Sequence, residues 1–298
     1  NSSSSQKAIY SIYGMGSIGY KDMVYLEVTG RNDWSSTLPI ENRSYFYPSG
    51  SLSVLLSKMF TMPDWVTFLK LRGGIAEVGN DTNPYALYQY FSVGQDWGTA
   101  KELYMGGSLK NPTLIPERAL SKEVGADVRL FNDKIGLNVT YYVSGNKNQI
   151  LGIGLPVESG ATSKIINAGL VESRGWEIGL NTTPVQTKNF RWDMGFNFTR
   201  NRTELKELAE GLTNFDFAGT SGLTVRTYEG GLIGDMYESP MLTVTDKSSA
   251  YYGYPILSGG GTYQTDDDPS HVVKIGNSNQ DFTLGIQPSL TYKSFSLS

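Results

Sequence analysis

Strict alternation of apolar and polar side chains, sustained over many long runs, constrains this chain more than any other feature. Phe190, Trp192, Met194, Phe196 and Phe198 alternate with Arg191, Asp193, Gly195, Asn197 and Thr199. Ile135, Leu137, Val139, Tyr141 and Val143 do the same against Gly136, Asn138, Thr140, Tyr142 and Ser144. Val124 to Phe131 and Phe282 to Lys293 repeat the pattern. A period of two places alternate residues on opposite faces of a β-strand. Similar patterns cover residues 23–31, 68–75 and 176–182, and weaker ones residues 8–19 and 51–57. The total is roughly ten strands, and about 9–11 residues suffice for a barrel strand to cross a bilayer.

The links between these runs carry a second regularity. Short links fall at residues 20–22, 131–134, 184–189 and 292–295, with a moderately short one at 58–65. Long links, 32–43, 79–117, 145–166 and 201–281, lie between them. Strands running up and down a barrel wall give short turns at one rim and long loops at the other. Tyr20, Phe60, Trp65, Phe131, Phe190, Trp192, Tyr292 and Phe295 crowd the short-turn rim, as an interfacial aromatic girdle requires. The expected fold is therefore all-β: a partial antiparallel transmembrane β-barrel with short periplasmic turns and long extracellular loops. The competing architecture is a soluble or surface-exposed β-sandwich serving as a carbohydrate-binding module. Sandwich strands are shorter, about 5–6 residues, and give no reason to segregate short turns from long loops.

Composition removes other classes. The 34 glycines and 19 tyrosines favour pleated structure. A net charge of −4 gives no electrostatic footprint for nucleic acid. With no cysteine, a disulfide, a thiolate zinc site and a cysteine nucleophile are excluded. No apolar run is long enough for a transmembrane helix, which leaves a barrel open. Asn1 and the serines after it lack the features of a signal peptide, so the sequence reads as mature or as cut from something longer.

Several motifs invite a chemical reading. Gly14-Met15-Gly16-Ser17-Ile18-Gly19 matches GxGxxG, but a dinucleotide site needs a helix after it, and here another strand pattern follows. His271, the only histidine, sits in a polar loop without a nucleophile elbow. Asp266-Asp267-Asp268 lacks the alternate spacing and turn glycine of a calcium loop. The N-x-S/T triplets at Asn138, Asn197 and Asn201 carry no weight if the protein is bacterial, and two of them sit within strand patterns. No catalytic residue, cofactor site or metal site is assigned, and an enzyme is not expected. Aromatics in the long links are the candidate contacts for a substrate or partner: Trp34, Tyr88, Phe91, Trp97, Tyr104, Tyr251 and Tyr254.

From Thr29 the text becomes specific. Thr29-Gly30-Arg31-Asn32-Asp33-Trp34-Ser35-Ser36-Thr37-Leu38-Pro39, followed by Glu41-Asn42-Arg43-Ser44-Tyr45-Phe46-Tyr47-Pro48-Ser49, resembles the SusC/RagA family of TonB-linked outer-membrane proteins. Further landmarks keep the family order: Val78-Gly79-Asn80-Asp81, Asn111-Pro112-Thr113-Leu114, Asn167-Ala168-Gly169, Gly175-Trp176-Glu177-Ile178, Glu229-Gly230-Gly231-Leu232-Ile233-Gly234 and Asp281-Phe282-Thr283-Leu284-Gly285. The resemblance covers nearly the whole chain.

It implies a large barrel with an N-terminal plug, importing glycans or peptides across the outer membrane of Bacteroidetes. It also implies a SusD-like lipoprotein over the extracellular rim and energy delivered through the TonB complex. No plug or TonB-contacting segment is found in residues 1–298, which read as a fragment of the barrel domain. The last strand begins at Phe295 and stops at Ser298, which reads as a cut.

Overall fold

The computed structural model describes residues 4–209, 211–220, 223–266, 268 and 271–298. The chain divides into two units, Asn1–Arg202 with Phe282–Ser298, and Thr203–Asp281.

The strands of the first unit are β1 (Ile9–Tyr20), β2 (Val24–Ser35), β3 (Ser44–Leu55), β4 (Val66–Asn80), β5 (Phe91–Trp97), β6 (Ala100–Met105), β7 (Ser108–Leu109), β8 (Glu117–Leu130), β9 (Ile135–Gly154), β10 (Ser163–Gln186) and β11 (Phe190–Glu207). The last of these runs on into the second unit, which adds β12 (Asn214–Thr220), β13 (Leu223–Tyr228), β14 (Asp235–Glu238) and β15 (Val273–Asn277). The chain then returns to the first unit as β16 (Thr283–Tyr292) and β17 (Phe295–Leu297). One large sheet orders its strands β1-β2-β3-β4-β8-β9-β10-β11-β16-β17, with β7 beside β10. A hairpin of β5 and β6 and a four-stranded sheet β12-β13-β14-β15 account for the others.

Register turns the alternation of each strand into two faces of a sheet. Ile18, Leu26, Leu52, Gly73, Val124, Tyr141 and Trp176 form one continuous row across β1, β2, β3, β4, β8, β9 and β10. Tyr20, Val24, Val54, Leu71, Ala126, Val139 and Ile178 form another on the same face. Phe198 and Phe196 oppose Leu284 and Ile286. On the other face run Gly19, Tyr25, Ser53, Arg72, Gly125, Thr140 and Glu177. Its charges are paired within the face: Lys70 with Asp127 at 2.7 Å, and Arg191 with Asp193 at 2.7 Å. Arg72 donates to Thr140 at 2.6 Å, and the Thr183 hydroxyl donates to Asp193 at 2.6 Å.

The apolar face is uncovered. Ile18 is 69% exposed, Val124 58% and Ile286 54%. A sandwich would bury these side chains against a second sheet. Phe190, Trp192, Met194, Phe196 and Phe198 alternate along β11 with Asp193, Asn197 and Thr199, as the sequence predicts.

The short turns lie where expected, and their chemistry is strained backbone stabilised by rings. Lys21, Asp22, Phe131, Asn132, Asp133 and Lys293 all have positive φ. The Phe131 ring, uncommon in that region for so bulky a residue, stacks on Trp65 at 6.2 Å. Lys21 and Lys293 sit over the rings of Tyr20 and Tyr292.

The long links differ from the sequence reading in extent. Strand β2 continues to Ser35, so Trp34 is a strand residue paired with Tyr10 and Ser44 and not a loop residue. The expected loop 145–166 shrinks to residues 155–162, because β9 and β10 are 20 and 24 residues long. Asn146, Lys147 and Gln149 pair in the ladder although no apolar alternation marks them. Polar side chains occupy both faces of this stretch, so pairing persists while the period-two signal disappears.

The buried core is small and sits at the long-link end: Leu38, Tyr45, Ala86 and Leu114, with Tyr47, Leu87, Ile150 and Ile165 against them. Leu114 has no exposed surface. In the full-length protein, Leu114→Ala is expected to cost about 2–5 kcal/mol. The denaturant midpoint in detergent measures this, and a change within about 0.5 kcal/mol, typical of surface sites, would contradict the assignment of a core here.

Candidate functional site: the rim of long connections

The residues that mark the family resemblance converge on this core as clamps. Asp81, 8% exposed, accepts from Lys7 at 2.5 Å and Thr37 at 3.1 Å, and also from Ser35. Asp33 takes Arg31 at 2.8 Å and the Tyr47 hydroxyl at 2.5 Å. The Asp81 bonds hold the turn after β2 against the end of β4, and the Tyr47 bond to Asp33 ties β3 to β2. Gly79 has no side chain for a reason: a Cβ there would lie 2.4 Å from the Tyr45 ring.

A second clamp joins distant motifs. The Asn167 side chain accepts from the Ile115 amide at 3.0 Å and donates to the Ile115 and Asn148 carbonyls at 2.8 Å each. Glu117 receives the Ile150 amide at 2.7 Å and Asn80 at 3.1 Å. Asn42 donates to the Leu114 carbonyl at 3.1 Å. Carboxylates and amides held by this many hydrogen bonds are fixed in position.

The connection between β4 and β8 starts from these clamps and carries the β5–β6 hairpin. Phe91 is paired with Met105, and Val93 with Leu103, so these four share one face. Tyr104, opposite Ser92, lies on the other face. Trp97, 87% exposed, pairs with Ala100 beside the turn. Tyr88 is also exposed, and Tyr85 meets Tyr90 edge to face at 6.3 Å. Sequence reading finds the aromatics and misses Val93, Leu103 and Met105. The alternation Phe91-Ser92-Val93 and Leu103-Tyr104-Met105 is the signal that reveals them.

The second unit presents its own aromatic cluster. Tyr251 and Tyr254 are exposed and meet edge to face at 6.0 Å. The glycine-rich motif before β14 is structural: Gly230 and Gly234 have positive φ, and Asn277 and Asn279 donate to the Ile233 carbonyl. Asp235, 2% exposed, pairs with Lys274 at 2.7 Å and Asn277 at 2.8 Å.

On the polar face near the short turns, Arg129, Lys134, Asn181, Arg191, Asp193 and Gln287 line an open cavity of about 820 Å³. Gly14 to Gly19 lie in β1, followed by a turn and β2, so no helix N-terminus faces them. Among the described residues no group of three or more His, Asp or Glu side chains is gathered as a metal site would need. Of the acidic run, Asp267 lies outside the described residues.

Asp266 and His271 are paired, Oδ2 to Nδ1 at 2.8 Å. This bond, with the charges of Asp268 and Asp266, holds the imidazole above its ordinary range. The Asp268 amide and then His271 hold the Asp266 carboxyl below its own. A raised imidazole strengthens the pair when protonated, so the tie is complete below about pH 6.5 and is lost as pH rises through the folded value. His271 should therefore titrate above about 6.5 by NMR, and Asp266→Asn should bring it back down. An unchanged titration in the variant would contradict the pairing.

The family model described as TonB dependent receptor-like, beta-barrel matches residues 1–298. The TonB-dependent receptor P3 of Formosa agariphila is 28% identical over 97% of this chain, and the match spans 31% of the relative. The TonB-dependent receptor SusC of Bacteroides thetaiotaomicron is 24% identical over 69% of this chain and 22% of its own length. Among solved structures, the RagAB peptide transporter superposes with a TM-score of 0.83 at 21% identity, over 97% of this chain and 32% of that one. The chain thus spans about a third of the proteins it matches over nearly its whole length. With its register, rims and full-length family match taken together, the chain belongs to the TonB-dependent receptor β-barrel family of the outer membrane.

Proposed function

We propose that residues 1–298 form part of the wall and extracellular vestibule of a SusC-like importer for glycans or peptides too large for porins. The observation that carries this reading is the register, which gathers an uncovered apolar face on one side and paired charges on the other. In a barrel the apolar side meets lipid and the polar side the lumen. The plug and its contact with the TonB complex belong, in this reading, to parts of the protein outside these residues. A wall that binds no cofactor and performs no chemistry is consistent with relatives named as receptors.

The β5–β6 hairpin and the Tyr251–Tyr254 cluster are the proposed contacts for substrate and for a SusD-like lipoprotein lid. Trp34 is retained more narrowly, as a half-exposed strand residue at the rim. Rigid aromatic side chains offer broad contact at low entropy cost. The clamps of Asp81, Asn167 and Glu117 would serve as the base on which the hairpin stands.

Two measurements test this. Met194→Arg, on the apolar face, should impair insertion by about 2–4 kcal/mol if it lies near mid-membrane, whereas Asn197→Arg, on the polar face, should not. Equal behaviour of the two would overturn the facing. Separately, removal of residues 91–105 from the full-length transporter should reduce lipoprotein capture in a pull-down and slow growth on the imported nutrient. A trimmed protein that inserts, retains the lipoprotein and imports at the original rate would reduce the hairpin to packing.

A further inference from the structure

Asp81 is a buried anion balanced from a distant and more exposed segment. Its side chain is 3% exposed, and two stretches of chain close on it. Ser35, the last residue of β2, and Thr37, just after it, both donate to Oδ2. Lys7 donates to Oδ1 at 2.5 Å across 74 positions, and its own side chain is 37% exposed. Hydroxyls carry no net charge, and among the described residues Lys7 is the cation paired with this carboxylate. Lys7 belongs to no strand, since β1 starts at Ile9. Ala8 beside it is docked on the same turn: its amide donates to the Ser36 hydroxyl at 3.0 Å, and the Ser36 amide donates to its carbonyl at 3.0 Å.

Asp81 is also the point where β4 gives way to the connection that carries the β5–β6 hairpin. The far end of that connection is held in another way. Glu117 accepts from Asn80 of β4 at 3.1 Å and from the Ile150 amide of β9 at 2.7 Å, so the ladder itself fixes it. Between the two ends, Ala86 and Leu114 enter the small core with Leu38 and Tyr45. The Asn111 amide donates to the Ala86 carbonyl at 3.2 Å. One foot of the connection therefore stands on the ladder, and the other on a charge pair whose cation lies outside it. Taking the cation from a buried pair leaves an uncompensated charge, which is strongly destabilising. The two hydroxyl donors reduce that penalty without cancelling it.

We propose that Lys7 is a latch on the hairpin: the connection 82–116 is stiff while residues 4–8 are docked, and loosens when Lys7 leaves Asp81. Segments open locally where few buried apolar contacts oppose it, and the core under this connection is small. Movement of residues 4–8 is thereby transmitted to the base of the hairpin through one ion pair. The latch rests on the geometry of the Asp81 clamp. Its effect on a partner rests on the reading of the hairpin as a contact for the lipoprotein.

The test is amide hydrogen exchange on the full-length transporter in detergent, read by mass spectrometry, with heat-modifiability as an independent check of folding. In Lys7→Met, exchange across residues 82–116 should rise by about tenfold or more, while β8 to β10 stay protected. Lys7→Arg keeps the charge and should stay near the wild type. Lys7→Met combined with Asp81→Asn buries no bare charge, so residues 82–116 should recover while residues 4–8 exchange faster. Should Lys7→Met fail to fold, the double variant decides by the same readout. Unchanged exchange in Lys7→Met, a rise spread evenly over the ladder, or a double variant that stays loose at 82–116 would overturn the latch. Lipoprotein capture in a pull-down should fall in Lys7→Met. Capture at the original level by a variant whose connection has loosened would support the latch and overturn the hairpin reading instead.

Discussion

The hydrogen bond between neighbouring strands is the constraint on which the rest of this protein depends. In hydrocarbon no water is present to satisfy a backbone amide or carbonyl, so each strand must be bonded to another along its spanning length. Once β1 to β4, β8 to β11 and β16 are committed to that ladder, register is all that remains to be chosen. A slip of one residue would invert both faces of a strand. The rows from Ile18 to Trp176 and from Gly19 to Glu177 show how consistently that choice is made across seven strands. Paired charges on the polar face then act as keys: Lys70 with Asp127 would be broken by a slip between β4 and β8.

At the rim the constraint relaxes and side chains take over. Loops here are held by polar clamps around a handful of apolar groups. Asp81, Asn167 and Glu117 each join segments far apart in the chain. Such a base is stiff where backbone amides are tied directly to carboxylates and amides. It leaves the hairpin of β5 and β6 projecting from a fixed footing, with its rings unburied.

Much of this was legible in the sequence, and the limits have physical causes. Alternation located the wall wherever one face meets an apolar environment, as at Phe190 to Phe198. It failed at Asn146 to Gln149 and at Trp34, where pairing continues past the apolar band and polar residues occupy both faces of the strand. Short turns were visible from polar residues next to rings. The motif containing Asn32-Asp33-Trp34 was legible as a family mark, but its work was not: Asp33 serves Arg31 and Tyr47, and Ser35 serves Asp81, across separations of up to 46 positions. Of the candidate aromatics, the hairpin brings Phe91, Trp97 and Tyr104 onto one small element. Their apolar companions Val93, Leu103 and Met105 escaped notice because none is aromatic.

The length of β10 has a consequence for how the cell surface presents this protein. Its 24 residues span about 80 Å at roughly 3.3 Å per residue, well over what a bilayer occupies even along a tilted strand. The excess stands outside as a continuation of the wall, paired with β9 and edged by β7. To an antibody or a phage arriving from the medium, the accessible target is thus a regular ribbon whose shape is set by backbone pairing. Recognition of that ribbon depends on its fold, and denatured protein would not display it.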